Sequence, residues 1–189
     1  MPPLFNTRQT YGLIAILLHW LIAVGLIALF ASGLWMTGLD YYHPWYNRAP
    51  ALHISFGVVV ALLVLLRLLL SLVSQAPEPI AGRLFAVAAY LTHMVLHLLP
   101  LVIAAAGYLI VTAEGKGVAV FSMFELPPLL ESAGERADSA GTVHLWSSWT
   151  LMILSLAHAA AAVFHHAVLH DVVLLRMFGY DKTKRGERA

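Results

Sequence analysis

Histidine is the residue type in this chain whose number and spacing can do chemistry. Ten histidines stand among 189 residues, of which 60% are hydrophobic and 11% charged. An ionisable side chain at membrane depth is costly and by default marks a functional site. His19, His53, His144 and His158 all fall within or at the edge of long apolar runs. From His144 to His158 is 14 residues, which on an α-helix gives about 21 Å of rise and a rotation within about 40° of four full turns. One helix thus presents two imidazoles from one face at two depths. A low-spin b haem takes one axial nitrogen from each side of the porphyrin, and facing helices of a bundle can supply them. With no cysteine, the chain has no disulfide, no cysteine-ligated iron–sulfur cluster and no C-x-x-C-H haem attachment. Zinc or copper also bind imidazole, but the two levels are too far apart for one ion. Each level offers only two ligands, without the carboxylate or thiolate that usually completes such a site. The ordinary reading of any single membrane histidine is a hydrogen-bonded packing residue; four in matched levels are harder to explain that way.

The elements that must position these side chains follow from hydropathy. A span of the hydrocarbon core takes roughly 20 helical residues, and four apolar stretches are long enough, near 11–36, 50–73, 84–112 and 141–170. The expected fold is all-α, a transmembrane four-helix up-and-down bundle, with residues 1–175 as the membrane domain and 176–189 as a basic tail. Asp40-Tyr-Tyr-His-Pro-Trp-Tyr after the first stretch is an interfacial aromatic loop, and Gln75-Ala-Pro-Glu-Pro breaks the second. The long loop is 114–140, with Pro127-Pro128 and most of the acidic residues. The first run exceeds the 7–15 residues of a signal-peptide core and lacks a clean cleavage site, so it is read as a helix.

Lys and Arg set the orientation. Arg8, Arg67, Arg83, Arg176, Lys182, Lys184, Arg185 and Arg188 fall on one side of four spans, against Arg48, Lys116 and Arg136 on the other. The positive-inside rule then expects a multi-pass protein of the bacterial inner membrane with both termini cytoplasmic. Alternating helix direction converts position into depth. His19 and His158 share an inner level. His53 and His144, each expected in the first turn of its helix, share an outer one. Gly57, four residues after His53, and the alanines around His158 would let a flat porphyrin approach the backbone. Net charge is only +1, so no nucleic-acid partner is expected.

These residues resemble the bacterial cytochrome b561 family over nearly the whole chain. The likeness rests on Leu18-His19-Trp20, His53-Ile-Ser-Phe-Gly57, His144 with His158, and the loop Gly117-Val-Ala-Val-Phe121 followed by Leu126-Pro127-Pro128. It implies two haem b groups, with His19 paired to His158 and His53 to His144, as the depth argument gives without it. The family usually has His-x-x-Leu-Tyr in helix 3, where this chain has His93-Met-Val-Leu-His97.

Among the other histidines, His93 and His165 are the candidates for binding quinone or relaying its protons; His165, seven residues after His158, faces the same way. His166 and His170 are read as part of an interfacial polar tail in the last turns of helix 4. Arg8 and Arg67 lie at the level of the inner haem, where a guanidinium can pair with propionates. Arg48, Lys116 and His43 are the outer equivalents. The resemblance implies electron transfer across the bilayer to or from quinone, most readily by oxidising superoxide outside and reducing ubiquinone. The acidic outer residues Asp40, Glu114, Glu125, Glu131, Glu135 and Asp138 would repel such an anion on average. They suit the rival reading, a membrane anchor that takes electrons from a periplasmic dehydrogenase or hydrogenase partner.

Overall fold

In the computed structural model, residues 2–79, 82–128 and 136–179 are described. The four apolar stretches become α1 (Leu13–Met36), α2 (Arg48–Val73), α3 (Arg83–Val111) and α4 (Arg136–Ala167), each long and apolar enough to cross a membrane. The protein is therefore an all-α, multi-pass membrane bundle. Its surface shows the bilayer as solvent: Leu21, Val24, Ile27, Leu62, Leu69, Ile153 and Leu156 are all more than half exposed. The interior is correspondingly small. Leu18 and Ile22 of α1 meet Val60 and Val64 of α2 in its main cluster.

Two pairs make the bundle. α1 packs along α2 and α3 along α4, α2 bridges to α3, and α1 touches α4 only sparsely. The histidine pairs lie across the seam between the two halves. Pro50 falls in the first turn of α2, where a missing N–H costs nothing. Pro100 lies buried inside α3, and the helix continues through it.

Hydropathy misplaces the ends of α4. The described helix already runs from Arg136, five residues before the apolar run, because helical propensity does not stop at the membrane edge and Asp138 near its described start favours a helix N-terminus. His144 is therefore at least two turns into the helix, not in its first turn. His53, the sixth residue of α2, is in the second. At the other end α4 stops at Ala167, so His166 is in the last turn but His170 is not. His170 lies in the following turn with φ of +53°.

The long loop holds a hairpin that the sequence reading treats as irregular. β1 (Val118–Val120) pairs antiparallel with β2 (Phe124–Leu126), Val118 opposite Leu126. Phe121 and Ser122 both have positive φ, and Met123 N–H closes the turn on the Val120 carbonyl. That conformation normally calls for Asn-Gly. Here α2 holds it: Ser55 Oγ accepts the Phe121 N–H at 2.9 Å, and the Phe56 ring meets Phe121 edge to face. The Tyr108 hydroxyl donates to the Pro127 carbonyl and ties the loop to α3. Glu131 and Glu135 lie outside the described residues, as do Lys182, Lys184, Arg185 and Arg188.

Both ends of the described chain lie at the opposite end of the bundle. Residues 2–12 fold back on themselves, the Asn6 side chain accepting from Gly12 N–H, and the Arg8 carbonyl accepts from Glu78 N–H. A short helix, α5 (Val173–Arg176), follows α4. Trp20 of α1 donates from Nε1 to the Met177 carbonyl and packs on Phe178. Leu18-His19-Trp20 thus divides its labour: Leu18 enters the core, Trp20 holds the C-terminal segment, and His19 faces α4.

Candidate haem centres

The histidines meet in the two pairs that depth arithmetic expects. At the hairpin end the ring centres of His53 on α2 and His144 on α4 are 6.3 Å apart, and at the termini end those of His19 on α1 and His158 on α4 are 6.5 Å apart. Iron between two imidazoles needs about 2 Å of bond on each side plus roughly 1 Å from nitrogen to ring centre, a little over 6 Å in all. Both spacings fit one iron per pair. They are too long for a direct imidazole–imidazole hydrogen bond.

Hydrogen bonding at the hairpin end selects the tautomer. His144 Nδ1 lies 2.9 Å from the Ile103 carbonyl, which can only accept, so Nδ1 carries the proton and Nε2 offers its lone pair. His53 Nδ1 lies 3.0 Å from Ser32 Oγ, and that hydroxyl already donates to the Leu29 carbonyl, so it accepts from Nδ1–H. Both imidazoles are thus held as Nδ1–H tautomers with Nε2 bare, the arrangement that orients and strengthens a metal-ligating histidine.

Two glycines without a sequence signal leave room for these rings. A Cβ at Gly107 of α3 would come within 3.1 Å of His144 Cε1 and Nδ1, and one at Gly33 of α1 within 3.4 Å of His53 Cε1. A Cβ at Gly57, singled out from its spacing, would meet nothing within 4 Å beyond its own stretch of helix. Each of these glycines is on a helix other than its histidine's, so only the assembled bundle brings them together.

The termini-end pair has a different surround. His93 of α3 stacks edge-on against His158 with ring centres 5.1 Å apart, over an ångström too close for iron to stand between them. His97 is fully engaged: its Nδ1–H donates to the His93 carbonyl and its Nε2 accepts from Arg67 Nε at 3.1 Å. That bonding gives His97 a structural task, buttressing Arg67, and leaves neither nitrogen for relaying protons. Among the described residues no carboxylate pairs with Arg67, so the remaining donors of its guanidinium are available to an anion. Arg8 is exposed on the N-terminal segment, and its described contact is a backbone one.

His165 lies beyond this group toward the bundle end, its Nδ1 bonded to Asp171 and its ring 6.4 Å from that of Phe85. Among the outer candidates, Lys116 is paired with Glu114 at 2.8 Å, and that contact holds the Glu114 carboxyl below its ordinary range. His43 Nδ1 accepts from the Trp45 N–H. Among the described residues no three His, Asp or Glu side chains gather around a common point, so what the arrangement offers is two-ligand, bis-imidazole binding.

Comparison with known proteins points the same way. Residues 10–180 match the family model of prokaryotic cytochrome b561. The chain is 39% identical over 183 residues to "Cytochrome b561 homolog 2" of Escherichia coli K12, covering 96% of this chain and 97% of that one. It is 33% identical over 172 residues to "Cytochrome b562" of Cereibacter sphaeroides, covering 88% and 94%. It is 28% identical over 175 residues to "Probable superoxide oxidase CybB" of Yersinia pestis, covering 90% and 96%. With four membrane helices and imidazoles paired at iron-bridging distance, the chain belongs to the prokaryotic cytochrome b561 family of haem-b-binding membrane electron-transfer proteins.

Proposed function

We propose that the chain holds two haem b groups, one between His19 and His158 and one between His53 and His144, and carries electrons from the outer face of the bacterial inner membrane to ubiquinone. The observation that carries this is the pair of ring spacings, 6.3 and 6.5 Å, at two levels joined by α4. Haem b, when bound, supplies one-electron transfer through its iron. Both termini are taken as cytoplasmic from the distribution of Lys and Arg, which places the hairpin end outside.

The protein groups around each pair support an inward direction. At the hairpin end, Ser32 and the Ile103 carbonyl accept from Nδ1–H, making His53 and His144 more basic ligands, which favours ferric iron. At the termini end Arg67 supplies a cation without a carboxylate partner among the described residues, which favours the less positive ferrous state. Arg67 is also the propionate partner proposed for this level. Arg8, proposed from the sequence for the same role, is exposed and is the weaker candidate.

The donor is proposed to be superoxide, a reading that draws on the name of the Yersinia pestis relative. Two superoxide anions each give up one electron and leave as dioxygen. One ubiquinone takes both electrons and two protons, and His93 and His165 are the candidates to bind it and handle the protons.

A second reading keeps the haems and changes the donor. The Lys116–Glu114 pair cancels one of three outer cations, and Asp40, Glu125 and Asp138 leave the outer side acidic, which favours docking of a periplasmic dehydrogenase or hydrogenase over steering of an anion. The test is to give enzymatically generated superoxide to the purified, haem-loaded protein with ubiquinone. Reduction of the b-type α band followed by ubiquinol formation supports the oxidase. If dithionite reduces the haems and superoxide leaves them oxidised, the oxidase reading fails and the anchor reading gains. His19→Ala or His158→Ala is expected to remove one haem and spare the other, as is His53→Ala or His144→Ala. His93→Ala retains both, and loss of a haem there overturns the pairing.

A further inference from the structure

The end of α4 builds a histidine–carboxylate pair from residues that no haem uses. His165 lies two helical turns beyond His158, about 10 Å along the axis and within about 20° of the same direction. After Ala167 the chain reverses through His170, whose φ of +53° is a conformation that non-glycine residues seldom take. The reversal brings the Asp171 N–H onto the His165 carbonyl at 3.1 Å and the Asp171 carboxylate onto His165 Nδ1. The second carboxylate oxygen accepts the Val173 N–H at 3.0 Å, which starts α5. Both side chains are mostly enclosed, at 18% and 17% exposure. Burial raises the Asp171 carboxyl, but the His165 and Val173 hydrogen bonds and the nearby His165 and Arg176 charges outweigh it and hold Asp171 below its ordinary 3.8. Arg176 itself is fixed by donating to the Glu78 carbonyl.

Nδ1 is committed to Asp171, and among the described residues Nε2 of His165 has no hydrogen-bond partner. The ring on its flank is Phe85, in the first turn of the apolar α3 and 61% exposed. An exposed aromatic edge, beside an imidazole with one nitrogen free, suits a flat apolar molecule that carries a carbonyl.

We propose that Asp171 is the positioning residue that sets His165 as the proton donor to a quinone carbonyl at the termini end of the bundle. This rests on the quinone reading given above. In each transfer the His165 Nε2–H bond breaks and a quinone O–H bond forms while Asp171 stays ionised and stabilises the imidazolium before it donates. The imidazole regains its proton from water at that face. Two such transfers, with two electrons delivered from the termini-end haem site, complete the quinol.

Single-turnover reoxidation of the dithionite-reduced, haem-loaded full chain separates the possibilities, since it needs no physiological donor. Two oxidants are compared by stopped-flow at the b-type α band: a short-chain ubiquinone, which needs protons, and ferricyanide, which does not. Asp171→Asn keeps an oxygen for Val173 N–H and loses the charge. Its reoxidation by quinone is expected to slow at least tenfold, with an altered pH–rate profile and a larger solvent deuterium isotope effect. Reoxidation by ferricyanide and haem content are expected to be unchanged. His165→Ala slows quinone reoxidation likewise and is partly rescued by added imidazole. If Asp171→Asn matches the unaltered protein with quinone in rate and pH profile, the proposal is overturned and the quinone reading stands. Equal slowing with both oxidants, or loss of haem, makes Asp171 structural and also overturns it. If the unaltered protein is reoxidised by ferricyanide and not by quinone, the quinone reading fails and takes the proposal with it.

Discussion

Replacing Gly107 by alanine adds one methyl group at a place where the structure leaves it no room. The new Cβ would lie 3.1 Å from both Cε1 and Nδ1 of His144, inside ordinary carbon contact of about 3.5–4.0 Å, so the imidazole must shift by a few tenths of an ångström. That shift falls on the 2.9 Å bond from Nδ1–H to the Ile103 carbonyl. Loss of such a partner typically weakens metal binding 10–100-fold, or about 1.4–2.8 kcal/mol. The helix itself gains, since alanine is favoured over glycine by about 0.8–1.0 kcal/mol in a helix interior. Gly107→Ala is therefore expected to leave the bundle as stable as before, or slightly more so, while weakening only the haem site proposed at the hairpin end. Gly33→Ala is the graded control: its Cβ would lie 3.4 Å from His53 Cε1 and 4.0 Å from Nδ1, an ordinary contact. The assay is the haem-to-protein ratio by pyridine haemochrome after a chelating haem-binding protein has competed for the haem, with thermal unfolding followed in parallel. Full retention of haem by Gly107→Ala, or equal losses in both variants, refutes the reasoning that the missing side chain of Gly107 sets the His144 ring.

Redox titration tests the electrostatic difference between the two levels. Ser32→Ala removes one acceptor of about 0.5–1.5 kcal/mol and is expected to raise the midpoint of the haem proposed at the hairpin end by about 20–60 mV. Arg67→Gln removes a cation from the termini-end group; a unit charge at about 10 Å in an effective dielectric of about 20 is worth about 1.7 kcal/mol, so the midpoint of the haem proposed there should fall by about 70 mV. The Asp171 carboxyl is held below 3.8, so the stability its pairing contributes is fully present above that pH and lost as pH falls through its folded value. The fluorescence of Trp20, bonded to Met177 nearby in the chain, should report loosening of the C-terminal segment in that acid range, and Asp171→Ala should show it already at neutral pH. Ser55→Ala strips the acceptor from Phe121 N–H and should cost the hairpin about 1–2 kcal/mol, read as faster amide exchange across Val118–Leu126 with helix exchange unchanged.

Hydropathy and histidine spacing carried the sequence reading a long way. Four spans were legible because a bilayer demands about 20 apolar residues in a row. That the His19 ring would face His158 and the His53 ring His144 was legible because alternating helices turn sequence position into depth. What stayed hidden depends on contacts between helices. Gly33 and Gly107 look like ordinary helix glycines until the facing ring is in place. Ser32 is one serine in an apolar run, and only its distance to His53 gives it a task. The five extra residues of α4 escaped because hydropathy reports the membrane and says nothing of a helix that continues into water. The hairpin escaped because Phe121-Ser122 is not a recognisable turn sequence; α2 stabilises it from outside. Asp171 looked like one more charge near a basic tail, and its meeting with His165 requires a left-handed residue at position 170.

α4 differs from the other helices in supplying a histidine to both pairs, 14 residues apart on one rod. A helix is far stiffer along its axis than a bundle is between its members. In the proposed assignment the separation of the two irons is thus set by the pitch of a single element and not by how four elements settle against one another. Lipid of a different thickness can tilt the whole bundle or slide α1 against α2 without lengthening the gap an electron must tunnel. The rate of crossing is in this sense insulated from the membrane, whereas the affinity for each haem, which depends on α1 or α2 meeting α4 across the seam, is left exposed to it.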